Sequence, residues 1–108
     1  MEVNPGSMDV EKISELINRR RRQILVHSII YYKMDKNLIA DNAWSEWGAE
    51  LEALQAQYPE IAAKVPYAKD FQGFDHSTGY SLPLDDPWAV NKARQLVQWA
   101  EKRGESST

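Results

Sequence analysis

Residues 41–60 read DNAWSEWGAELEALQAQYPE, and this stretch decides the fold. Trp44, Trp47, Leu51, Leu54 and Tyr58 recur at spacings of three, four, three and four. Side chains three and four apart share one face of an α-helix, so the stretch predicts a helix with one large apolar stripe. Asp41 stands just before the stripe, where a carboxylate can accept from unpaired backbone N–H groups, and is the expected cap. Pro59 ends the pattern, because its ring and missing N–H disfavour a continuing helix.

Upstream, a second helical pattern is expected from about Asp9 to Met34. Asp9 is its expected cap, and Glu11 suits the positive end of the helix dipole. Val10, Ile13, Ile17, Ile24, Tyr31 and Met34 fall on or near one stripe. Leu16, Val26 and Ile30 widen it, which implies burial of much of the C-terminal half. Asp35, Lys36 and Asn37 form a polar turn. The short gap to the next helix favours an antiparallel helix hairpin.

Downstream, Pro59 to Pro66 predicts a helical turn with Ile61, Ala62 and Val65 facing inward. Tyr67, Phe71 and Phe74 suggest another. Asp75 to Gly79 reads as a loop, ordered where Phe74, Tyr80 and Leu82 pack down. Asp86-Pro87 is a helix start, an acidic cap followed by Pro at the first helical position. The last helix carries Ala89, Ala93, Leu96, Val97 and Ala100 on one face, with Gly104 as its expected end. Strand signals are weak throughout. The expected class is all-α: an antiparallel helix hairpin, short helical turns and a C-terminal helix packed on it. The expected organisation is a flexible leader or cloning remnant over 1–8, one helical domain over 9–103, and a frayed tail over 104–108.

The chain has 108 residues, enough for one small core, and 43% of them are hydrophobic. The formal charge of −3 and pI of about 5.3 weigh against a dedicated nucleic-acid binder, which usually carries a basic excess. There is no cysteine, which excludes disulfides and thiolate metal sites and suits a reducing cytoplasm. No apolar run approaches the roughly 18 residues needed to span a bilayer, so no membrane role is expected.

Tyr31-Tyr32, Asp41, Trp44-Ser45 and the frame from Glu50-Leu51 to Tyr58-Pro59-Glu60 resemble the N-terminal helical segment of NAD-dependent bacterial DNA ligases. The resemblance covers about Ile13 to Glu60 without gaps. In that family a Tyr-His pair ends one helix, and an Asp followed by a Tyr-Asp pair begins the next. These residues hold the nicotinamide mononucleotide half of NAD. Tyr31 and Asp41 match; Tyr32 stands for the His, Trp44 for the second Tyr and Ser45 for the second Asp. The resemblance therefore implies a cofactor-binding group of Tyr31, Tyr32, Asp41 and Trp44, with NMN or NAD as ligand. A charge-assisted hydrogen bond contributes about 1.5–3 kcal/mol, so losing the acid at Ser45 weakens such binding by on the order of tenfold or more. The family's nucleophile lies in a Lys-x-Asp-Gly motif that this chain lacks; Lys69-Asp70 is the nearest fragment. The expectation is not an enzyme. Phe74-Asp75-His76-Ser77-Thr78-Gly79-Tyr80 is similar to small phage and prophage proteins that carry this hairpin.

Arg19-Arg20-Arg21-Arg22 is the one charge run and the candidate phosphate or nucleic-acid contact. Consecutive helical residues lie about 100° apart, so the four cannot make one patch. Two or three are expected in solvent, with Arg20 or Arg21 paired to acids on the second helix. His27 reads as a buried, hydrogen-bonded histidine, and Asp75-His76-Ser77 as a turn. The two histidines lack ligand spacing, so no metal site is expected. Trp88, beside Asp85-Asp86, could anchor a partner protein. Three functions follow in order: a non-catalytic, cytoplasmic phage-type accessory protein that binds a protein partner, in replication or counter-defence; a nicotinamide-nucleotide-binding module; and nucleic-acid binding through Arg19–Arg22. The second requires Tyr31, Tyr32, Asp41 and Trp44 to converge on an open pocket.

Overall fold

The computed structural model describes residues 5–40, 42–75 and 82–106, with side chains from residue 10 to residue 103. Four helices are present among them: α1 (Pro5–Lys33), α2 (Ala43–Gln57), α3 (Pro59–Ala62) and α4 (Pro87–Ser106). No strand occurs among the described residues, so the class is all-α.

α1 is the spine. It begins at Pro5, earlier than the expected Asp9 start. Proline is well suited to the first helical position, where its missing N–H removes no bond and its fixed φ is already helical. The helix ends as its polar turn predicts. Asp35 takes a left-handed φ of 56°, the Lys36 N–H reaches back to the Ile30 carbonyl at 3.0 Å, and the Met34 N–H bonds the Ile29 carbonyl at 3.2 Å. A short polar side chain tolerates that backbone region better than an apolar one, so Asp35 can close a Schellman-type end without glycine.

α2 lies antiparallel on α1. Trp44 and Trp47 meet Ser28 and His27 near the turn, while Glu50 meets Arg20 further down. The periodic face packs inward: Leu51 is fully buried, and Trp44, Trp47 and Leu54 press on the core. Asn42, not Asp41, occupies the cap position of α2. It makes no side-chain cap bond, and its amide donates to Glu46 at 2.9 Å. Asp41 lies outside the described residues.

After Pro59 the chain turns across the lower end of the hairpin. Ala62, Val65 and Phe71 are buried there, as expected for the first two. Residues 63–73 form turns rather than a further helix, with the Phe71 N–H bonded to the Tyr67 carbonyl at 3.1 Å. The segment from His76 to Tyr80 lies outside the described residues.

α4 starts where Asp86-Pro87 predicts. The Asp86 carboxylate accepts from the Ala89 N–H at 3.0 Å. The helix then runs parallel to α1, since Arg22 meets Trp88 near its start and Lys36 meets Glu101 towards its end. Ala89, Ala93 and Val97 are buried against α1, and their small size allows close approach. α4 continues through Gly104 to Ser106. A glycine inside a helix costs only about 1 kcal/mol, too little to enforce a stop.

Buried Ile17, Ile24, Leu25, Val26, Ile29 and Ile30 show that α1 is apolar on two sides, one towards α2 and one towards α4. Two members of its expected stripe differ. Val10 and Tyr31 are exposed, because they sit near the two ends of α1, away from its packed middle.

Candidate functional site

The turn end of the hairpin carries the residues implied by the resemblance. Tyr31 and Tyr32 close α1 and remain open to solvent, 59% and 40% exposed. Their rings pack edge to face with centroids 5.0 Å apart. Ser45 is exposed on the first turn of α2.

Trp44 is held differently. Its indole N–H donates to the hydroxyl of Ser28 at 3.0 Å, and Ser28 is buried on α1. Its ring meets Phe74 edge-on at 6.2 Å, and Phe74 in turn packs on Phe71 at 5.2 Å. Trp44 therefore serves the joint between α1, α2 and the following turns. Of the four candidate grip residues, the structure leaves Tyr31 and Tyr32 in solvent, ties Trp44 into the packing, and does not describe Asp41. Sequence reading missed Ser28, and it expected Phe74 to pack down without identifying Trp44 as its neighbour. A serine amid Ile24, Leu25, Ile29 and Ile30 is the signal that a buried hydroxyl needs a partner.

The arginines separate, as helical geometry requires. Arg19 reaches Glu15 at 3.9 Å on the exposed surface. Arg20 pairs with Glu50 at 2.7 Å and also donates to Gln23 at 2.6 Å. Arg22 donates to Asn18 at 3.0 Å and covers the Trp88 ring at 4.6 Å. Arg21 is the exception to a solvated run, being only 2% exposed.

Among the described residues, Arg21 has no acid partner. Its guanidinium donates to the carbonyls of Ala62, Val65 and Pro66 at 3.0, 2.9 and 3.0 Å, and to the Gln55 side chain at 2.9 Å. The planar fork gathers carbonyls at and just beyond the end of α3, where the helix dipole is negative. Desolvation by burial pulls its pKa below the usual value. The clue in the sequence is position: Arg21 lies four residues after Ile17 and four before Leu25, on the apolar stripe.

A cavity of about 470 Å³ opens beside Arg21, lined also by Gln55, Pro59, Phe71, Gln72 and Gly73. It lies at the lower end of the hairpin, and neither Tyr31 nor Trp44 lines it. His27 stacks at a tilt on Trp47 at 5.5 Å, and its buried Nδ1 has no hydrogen-bond partner among the described residues. No grouping of His, Asp and Glu among the described residues could hold a metal ion. None of the helices is long and apolar enough to cross a membrane, among the described residues.

The profile of the DNA ligase-like, N-terminal NAD+-binding domain matches residues 10–65. The chain is 36% identical over 50 residues to a DNA ligase of Methylococcus capsulatus, covering 46% of this chain and 7% of that ligase. It is 32% identical over 62 residues to a DNA ligase of Pelotomaculum thermopropionicum, covering 57% of this chain and 9% of that one. The chain thus spans less than a tenth of the curated relatives it matches. No solved structure gives a significant match.

Proposed function

The chain belongs to the DNA ligase-like, N-terminal NAD+-binding domain family, and from that premise we propose that it works as a binding module without nucleotidyl-transfer chemistry of its own. Its target in this reading is a protein, in the accessory role of phage and prophage proteins that carry the hairpin, within the cytoplasm. The observation that carries the reading is the hydrogen bond from Trp44 to Ser28. It commits one aromatic of the inherited grip to packing, while Ser45 replaces an acid. What stays open is the Tyr31–Tyr32 pair, with Leu38 also exposed on the turn that follows. Paired aromatics with a polar handle are effective anchors at protein interfaces.

A second reading is nicotinamide-nucleotide binding. It is favoured by the exposure of Tyr31 and Tyr32 at the positions where the ligase family holds its ligand, and the family match makes NMN or NAD the ligand to try. Titration with each, followed by tryptophan fluorescence and calorimetry, separates the two. Absence of binding at millimolar ligand, together with a captured protein that Tyr31→Ala/Tyr32→Ala no longer retains, supports the protein-binding module. Saturable nucleotide binding that Asp41→Ala abolishes overturns it in favour of the second reading.

A further inference from the structure

The outward face of α4 has no role in either reading, and it lies beyond the matched residues. Trp88 and Trp99 both project from it, 41% and 58% exposed. They are about three turns apart, so they fall on one side of the helix roughly 16 Å from each other. Each ring carries a guanidinium: Arg22 lies over Trp88 at 4.6 Å and Arg103 over Trp99 at 4.7 Å. Between and beside them the same face exposes Asn91, Lys92, Gln95 and Lys102.

The described acid of α4 lies elsewhere. Among its described side chains, Glu101 is the sole carboxylate, and it is turned to Lys36 of the α1 turn at 3.2 Å. Asp86 is occupied by the Ala89 N–H and the Tyr67 hydroxyl, and Asp85 stands exposed just before the helix. The described side chains of this face are thus basic, polar and aromatic on a chain whose formal charge is −3.

We infer that this face binds single-stranded nucleic acid. Flat, exposed indoles offer stacking platforms to bases, and flanking cations meet the phosphates that connect them. Charge complementarity selects a polyanion, and the two separated rings select one with aromatic groups at intervals. A lipid surface fits less well, because the positions between the tryptophans are Asn91, Lys92 and Gln95, with no aliphatic side chain to insert. The inferred surface does not depend on the proposed function, since it shares no residue with the hairpin end.

The test is fluorescence anisotropy of the full chain with a labelled oligothymidylate of about 16 nucleotides, at the upper end of usual single-strand footprints. Saturable binding is expected, falling on the order of twentyfold between about 50 and 200 mM salt if three cations contact phosphate. Trp99→Ala, at an exposed site outside the core, should weaken it between about fivefold and a hundredfold. Lys92→Glu should weaken it far more than Lys64→Glu, the same charge change on the turn after α3. No binding at low salt overturns the inference. So does binding that ignores Trp99→Ala and responds equally to both lysine variants, or binding to vesicles of anionic phospholipid with none to the oligonucleotide.

Discussion

The indole N–H of Trp44 on α2 donates to the Ser28 hydroxyl on α1 at 3.0 Å, a polar stitch near the turn end of a seam that Arg20–Glu50 and Arg21–Gln55 also bridge further down. Ser28→Ala leaves that N–H without its acceptor, at an expected cost of about 1–2 kcal/mol. Trp44→Phe leaves a hydroxyl that can turn back to a carbonyl of its own helix, so the orphan is less costly. Ser28→Ala added to Trp44→Phe should then cost little more than Trp44→Phe alone. Urea denaturation of the four proteins reads the coupling. Additive losses would show that the stitch contributes nothing to the seam.

Arg21 invites a sharper test, because its charge is held by carbonyls and an amide rather than an acid. Arg21→Met strips donors from three backbone carbonyls, two of them in buried bonds. The expected loss is at least about 3 kcal/mol, a large share of the total for a domain of this size. Arg21→Lys keeps the charge but not the fork, so it should fall between the methionine variant and the native protein. Denaturant midpoints give the order. A methionine variant as stable as the native chain would contradict the account.

Most of the fold was legible because periodicity reports which faces are apolar. The stripe from Trp44 to Tyr58 gave α2, and the Asp86-Pro87 pair gave the start of α4. Orientation was not legible. Nothing local says that α4 runs parallel to α1, since that follows from how residues 58–86 cross the lower end of the hairpin. Helix ends also escaped, at Pro5 and at Gly104, where one residue's preference is outweighed by neighbours that continue the helix. The candidate site was half legible. A resemblance supplies positions, and it placed Tyr31 and Tyr32 at an exposed end. It could not supply the buried serine that claims Trp44, because that bond joins residues sixteen apart. The arginine run shows the same limit: helical angle predicts dispersal, but only packing decides that Arg21 turns inward.

His27 makes stability depend on mild acid. Burial lowers its pKa below the ordinary histidine value, while the unfolded chain keeps a value near 6.5. Below that pH the unfolded state binds the proton more readily than the folded state. The contribution of neutral His27 is thus fully present above about pH 6.5 and is lost as the pH falls towards the folded value. His27→Leu keeps an apolar contact for Trp47 and cannot titrate. Between about pH 7 and 5 the native protein should lose more stability than His27→Leu, read from urea midpoints at each pH. Parallel curves would show that another group governs acid sensitivity.

Asp86 couples the turns after α3 to α4, since one carboxylate oxygen accepts both the Tyr67 hydroxyl at 2.9 Å and the Ala89 N–H at 3.0 Å. Tyr67 has a φ of 71°, unfavourable for a bulky residue, so a side-chain anchor helps to hold that turn. Asp86→Ala removes cap and anchor together and should cost about 2–3 kcal/mol, with Asp86→Asn closer to native because asparagine caps nearly as well. The same contact predicts alkaline behaviour. Burial, then the hydrogen bond and charge of Asp86, push the Tyr67 pKa up to about 12. The unfolded tyrosine ionises near 10. Stability from this contact is therefore complete below about pH 10 and declines as the pH rises towards 12, where ionised Tyr67 would face an anionic carboxylate. Tyr67→Phe should be less stable than the native protein at pH 8, with the difference shrinking between pH 10 and 12. A difference that stays constant across that interval would detach Tyr67 from the cap of α4.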